Sequence, residues 1–126
     1  MAGNKERILF VDDDPELRDI VCMQLRESGY DIDEAEDGDI AMQKIADGTF
    51  DLILLDIKLP GKTGMEILKF ISDHKLPSRV IMLTGVVGLA TAIESLTMGA
   101  DDYITKPYTL EHLLSAIRRS LEQKSA

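Results

Sequence analysis

The residues of this chain that could act on a phosphoryl group all stand where an apolar run breaks off. Leu52-Ile53-Leu54-Leu55 ends in Asp56, and Ile8-Leu9-Phe10-Val11 ends in Asp12, Asp13 and Asp14. Val80-Ile81-Met82-Leu83 ends in Thr84, and Tyr103-Ile104 leads to Lys106-Pro107. Laid side by side as parallel strands, these runs bring acids, a hydroxyl and an ammonium to one sheet edge. That edge suits a metal ion and a phosphoryl group, with Asp56 as the nucleophile.

Crowded carboxylates repel one another, which raises their pKa values and blunts nucleophilicity. A divalent cation reverses this by favouring the ionised forms. A hard ion with oxygen ligands suits Asp12, Asp13 and Asp56; Mg²⁺ is the natural choice beside a phosphate, with Mn²⁺ as the alternative. An Asp nucleophile can take up a phosphoryl group as an acyl phosphate. Thr84 can donate to one phosphoryl oxygen and Lys106 can place a point charge on another. Gly85 leaves room for the incoming group. Each residue alone has an ordinary reading: Asp14 as a helix cap, Asp12 and Asp13 as loop acids, Thr84 as a strand-end hydroxyl, Lys106 as a solvated lysine. Their shared placement at strand ends favours the functional reading.

Strand and helix signals alternate five times. Ile8 to Val11 reads as a strand; Asp14-Pro15 then opens a helix with stripe Leu17, Ile20, Val21 and Leu25, stopped by Gly29. Tyr30 to Ala35 reads as an acid-diluted edge strand, and Asp37 caps a helix through Ile40, Ala41 and Ile45. Phe50 to Leu55 reads as a central strand covered on both faces. Thr63 and Glu66 form a capping-box pattern before Met65, Leu68 and Ile71. Arg79 to Leu83 is a fourth strand, and Leu89, Ala92, Ile93 and Leu96 mark the face of a fourth helix. Asp102 to Ile104 is a short fifth strand. Thr109 caps a last helix with stripe Leu110, Leu113, Leu114, Ile117 and Leu121. The alternation predicts an α/β, doubly wound sandwich with a parallel sheet, whose ligands bind beyond the carboxyl ends of the strands.

At 126 residues the chain fits one domain, 1–126, with its core at about 7–121. Net charge is −9, which speaks against direct nucleic-acid binding. Apolar runs are far shorter than the ~20 residues needed to cross a bilayer. Without a membrane span or a signal-peptide pattern, the expected location is the cytoplasm. Cys22 is the only cysteine, so a buried thiol is expected. His74 and His112 lack metal-ligand spacing and are expected at the surface. Asp31, Asp33, Glu34, Glu36, Asp39 and Glu122 are expected on a solvated face.

Ile8-Leu9-Phe10-Val11-Asp12-Asp13-Asp14 resembles the opening of a response-regulator receiver domain. The run from Asp56 to Gly64, with Pro60 four on and Gly64 eight on, is similar to the same family. So are Leu83-Thr84-Gly85 and the run from Gly99 to Tyr108. The resemblance extends from about Arg7 to Leu121.

It implies a flavodoxin-like (βα)5 fold with strand order 2-1-3-4-5. It implies a phosphorylated signalling switch rather than an enzyme, with residual self-phosphorylation from small phosphodonors and self-dephosphorylation. Asp56 would accept a phosphoryl group from the phosphohistidine of a sensor histidine kinase or phosphotransfer protein. Asp13 and Asp56 would be direct Mg²⁺ ligands, Asp12 would act mostly through water, and the Lys58 backbone carbonyl would complete the protein ligands. Thr84 and Tyr103 match the family's switch pair. Lys106-Pro107 matches a peptide bond that is typically cis, aiming the ammonium at the site.

The output face would be the fourth helix, fifth strand and last helix, including parts of Leu89 to Met98, Tyr103, and Glu111 to Arg119. Phosphorylation of Asp56 would shift a two-state equilibrium at that face and so control binding to an effector domain or protein, or homodimerisation. Leu59 stands where Met is common. Lys58 and Val86 occupy positions that tune hydrolysis of the acyl phosphate, and Val86, unable to hold a water, predicts slow self-dephosphorylation. Rival readings are a small haloacid-dehalogenase-like phosphatase, a non-phosphorylated pseudo-receiver and a flavin carrier. Glu16 breaks the first motif, the intact acid–Thr–Lys set argues against the second, and the third lacks a phosphate loop.

Overall fold

A computed structural model describes residues 5–85 and 89–124. Strands and helices alternate along the chain: β1 (Arg7–Val11), α1 (Pro15–Glu27), β2 (Asp31–Ala35), α2 (Gly38–Asp47) and β3 (Leu52–Asp56) come first. They are followed by α3 (Gly64–Asp73), β4 (Arg79–Thr84), α4 (Leu89–Thr97), β5 (Asp102–Thr105) and α5 (Leu110–Lys124). The sheet order is β2-β1-β3-β4-β5, and every pairing is parallel. This is the flavodoxin-like order expected from the sequence.

β3 lies at the centre and is buried at every position. Its side chains alternate between two cores because successive strand residues point to opposite faces. Leu52 and Leu54 join Val21, Cys22 and Leu25 of α1 and Leu113, Ala116 and Ile117 of α5. Ile53 and Leu55 join Ala41 and Ile45 of α2 and Ile67, Leu68 and Ile71 of α3. Leu54 is fully buried. Its replacement by Ala should cost about 3 kcal/mol in urea unfolding; a loss under about 1 kcal/mol would show that this layer repacks freely.

The helix starts follow their capping residues. Asp14 accepts from Glu16 N and Leu17 N, and Pro15 occupies the first turn. Thr63 and Glu66 form the reciprocal capping box. Burial pushes the Cys22 thiol up to about 12, consistent with an inert core group. Among the described residues no helix is long and apolar enough to cross a membrane.

Some expectations are corrected. Ile20 was expected on the buried stripe of α1, but it is 53% exposed. Ile93 and Leu96 of α4 are also exposed, whereas Ala92 and Ser95 are buried. Small residues let α4 approach closely and leave its larger apolar side chains outside. Tyr30 and Phe50 precede their strands instead of opening them. Asp31, Asp33 and Glu34 are not simply solvated: they pair with Arg7, with Lys44, and with Arg18 and Arg26 respectively. His74 is exposed, with its ring stacked 4.2 Å from that of Phe70.

Candidate functional site

The parallel register carries β1, β3, β4 and β5 to a common edge. Asp12 follows the last residue of β1, and its N–H continues the ladder by donating to Ala35 O at 3.2 Å. Asp56 and Thr84 are the last residues of β3 and β4. Lys106 follows β5, where its backbone N–H donates to Thr84 O at 2.7 Å. The Lys106–Pro107 peptide is cis.

Asp12 is fully buried, Asp56 is 5% exposed, Thr84 is 4% exposed and Asp13 faces solvent. Lys106 Nζ donates to Asp12 Oδ2 at 2.7 Å and to Asp56 Oδ2 at 3.0 Å. Lys58 N donates to Asp56 Oδ1 at 3.2 Å, and Asp14 N to Asp12 Oδ1 at 3.0 Å. One ligand atom from each of Asp12, Asp13 and Asp56 lies within 4.8 Å of the others. Three carboxylates with a solvent-facing member fit a hard divalent cation that keeps some water ligands. A Cβ on Gly85 would meet no heavy atom of the described residues within 4 Å.

The electrostatics explain why this cluster tolerates burial. Burial raises the Asp56 pKa above its ordinary 3.8; hydrogen bonding and charge from Lys106 oppose it, and the Asp12 charge adds to it. Desolvation therefore outranks the carboxylate repulsion emphasised by the sequence. Burial alone would lower the Lys106 pKa, but its hydrogen bonds to Asp12 and Asp56 push it up to about 12. Burial also holds the Tyr108 phenol up at about 12, with the Asp12 charge adding, and its buried hydroxyl has no hydrogen-bond partner among the described residues.

These shifts fix a pH dependence. A carboxyl whose pKa is raised by folding contributes stability that is present at low pH and lost as pH rises through the folded value. In metal-free buffer, Asp56→Asn should therefore gain thermal stability relative to wild type between about pH 4 and about pH 7. Thermal unfolding at both pH values checks this, and an unchanged offset would contradict it.

Sequence reasoning missed Arg18. Its Nη1 donates to the Asp12 carbonyl at 2.7 Å, its Nε lies 3.5 Å from Glu34, and its side chain is only 15% exposed. It thereby ties the Asp12 backbone to α1 and β2. The only sequence signal was its position four residues beyond the cap Asp14. Tyr103 is half-buried and packs with the core that contains Met82, and strand alternation puts Thr84 on that same face. Val86 lies outside the described residues.

A doubly wound parallel sheet with an acid–lysine cluster beyond its strand ends defines an open α/β class whose ligands bind at that edge. Within it, the profile of the response regulator receiver domain matches residues 8–118, and the chain belongs to that family. The transcriptional regulatory protein DltR of Streptococcus agalactiae is 38% identical over 119 residues, covering 94% of this chain and 53% of that protein. TrcR of Mycobacterium tuberculosis is 37% identical, covering 98% of this chain and 48% of that protein. The chain thus spans about half the length of these curated relatives. A CheY-like receiver domain from Methanospirillum hungatei superposes with a TM-score of 0.92 at 35% identity, covering 97% of this chain and 98% of that one. The response regulator TrrA of Thermotoga maritima, solved with Mg²⁺–BeF, gives a TM-score of 0.81 at 35% identity, covering 90% of this chain and 97% of that one. Receiver domains act as phosphorylation-dependent switches and bind Mg²⁺ at the acidic pocket. The family match disfavours the phosphatase alternative, and the intact Asp12, Asp13 and Asp56 cluster does not favour a pseudo-receiver.

Proposed function

We propose that Asp56 accepts the phosphoryl group of a phosphohistidine on a sensor kinase or phosphotransfer protein. An Asp56 oxygen bonds to phosphorus as the N–P bond breaks, and the imidazole leaves with the electron pair and takes up a proton. Asp13, Asp56 and the Lys58 carbonyl would hold a divalent ion, Mg²⁺ or Mn²⁺, with Asp12 assisting. When bound, that ion neutralises charge on the phosphoryl oxygens. Lys106 meets the same charge from the other side, and Thr84 donates a hydrogen bond to one oxygen. Small phosphodonors serve as slower substrates, and hydrolysis of the product is slow because Val86 cannot orient water.

Thr84 and Tyr103 then carry the signal: the hydroxyl moves towards the phosphate and the half-buried ring turns inward. The receiver unit, about residues 7–121, changes affinity for an effector domain or protein, or for a second copy, through α4, β5 and α5. Exposed Ile93 and Leu96 offer that face apolar contacts. The domain makes no direct nucleic-acid or membrane contact of its own, and it works in the cytoplasm. The Lys106 ammonium bridging Asp12 and Asp56 carries this reading, because it sets a positive charge directly against the proposed acceptor carboxylate. The test is intact-protein mass spectrometry after incubation with acetyl phosphate. One phosphoryl adduct should form with Mg²⁺ and none in EDTA; equal labelling under both conditions would reject the metal-assisted reading.

A further inference from the structure

We infer that the start of α2 is a positioning device for the phosphoryl site, acting through Gly38 on the β3–α3 loop; this rests on the roles proposed for Asp56 and Lys58. A helix leaves its first amides without internal partners. Asp37 Oδ1 takes the Ile40 amide at 2.8 Å, and the Gly38 amide donates outward to Pro60 O at 3.0 Å. Gly38 is buried, and a Cβ there would overlap the Lys62 backbone carbonyl. Unlike the end of a flexible side chain, that carbonyl cannot swing aside without moving the loop. Two loop carbonyls therefore rest on the positive end of α2, where the helix dipole favours them.

The loop is fixed at its other margin too. Gly64 N donates to Ile57 O at 2.9 Å, and a Cβ on Gly64 would overlap the Asp56 carbonyl. Between these clamps lie Leu59, which is buried, and Lys58, which is exposed but whose amide donates to Asp56 Oδ1 at 3.2 Å. A loop pushed away from α2 carries the Lys58 amide and carbonyl with it. Gly38 touches neither ion nor phosphate, so it is a positioning residue. Only a residue without a Cβ fits between the start of α2 and the loop, which accounts for a glycine directly after the cap Asp37.

Calorimetric Mg²⁺ titration of the full chain, together with amide hydrogen exchange, tests the inference. Gly38→Ala should weaken Mg²⁺ binding about tenfold, the scale of losing an outer support of a metal ligand. Leu121→Ala, a core truncation in α5, should lower stability but keep wild-type Mg²⁺ affinity. In the wild type, saturating Mg²⁺ should slow exchange of the Gly38 amide, a result that needs no variant to fold. Unchanged affinity in Gly38→Ala, equal weakening in Leu121→Ala, or Gly38 exchange indifferent to Mg²⁺ would each overturn the inference. Asp13→Asn separates the levels: if it too retains full affinity, the metal-site reading itself fails, whereas weakening there without weakening in Gly38→Ala defeats only the role of α2.

Discussion

Asp56→Asn should reduce phosphoryl labelling by acetyl phosphate to background. The amide has nearly the shape of the carboxylate, and its oxygen can still accept from Lys106 or Lys58, which both donate to Asp56 in the wild type. It lacks the anionic oxygen needed to form an acyl phosphate. The variant should remain folded and should be more stable than wild type in metal-free buffer near neutral pH, because it removes a buried charge whose pKa burial raises. Loss of labelling with stability retained separates a chemical defect from a folding defect. Intact mass and thermal unfolding on one preparation measure both, and labelling at the wild-type level would show that another residue is the acceptor.

Lys106→Met should damage both stability and chemistry. The ammonium pairs with a fully buried Asp12 and a nearly buried Asp56, and its own side chain is 25% exposed. Removing one partner of a buried ionic cluster leaves uncompensated charge and costs about 3 kcal/mol. The loss should be largest in metal-free buffer near neutral pH, because the orphaned carboxylates can be neutralised by protons in acid or by Mg²⁺. Chemical denaturation with and without Mg²⁺ checks this. A deficit that Mg²⁺ leaves intact would point to lost packing of the lysine stem. Phosphorylation by acetyl phosphate should slow by about a hundredfold, the scale of losing one preorganised donor to developing charge.

The site was legible in the sequence because a strand buried on both faces reads as a continuous apolar run. Wherever such a run stopped at Asp12, Asp56 or Thr84, the polar residue had to lie at the sheet edge. Lys106 was legible for the same reason, and the structure brings it to both acids. Helix faces were harder to read. Ile93 and Leu96 matched a helical stripe, yet α4 buries Ala92 and Ser95, with the Ser95 hydroxyl donating to Thr91 O at 2.9 Å. Hydrophobicity alone cannot distinguish a core stripe from an exposed apolar face when small residues make the close contact. Arg18 and Gly38 were hidden because their partners are backbone carbonyls, Asp12 O for one and Pro60 O for the other, and sequence patterns carry little record of backbone partners. Gly38 left only a faint trace, a glycine directly after the cap Asp37.

The proposed switch stands or falls on Asp56 as the phosphoryl acceptor. Its most direct test is to phosphorylate the wild-type chain with acetyl phosphate and Mg²⁺, reduce the acyl phosphate with borohydride, and locate the reduced residue by peptide mass spectrometry. Reduction confined to Asp56 is the predicted result. Reduction at Asp12 or Asp13, with Asp56 intact, would contradict it.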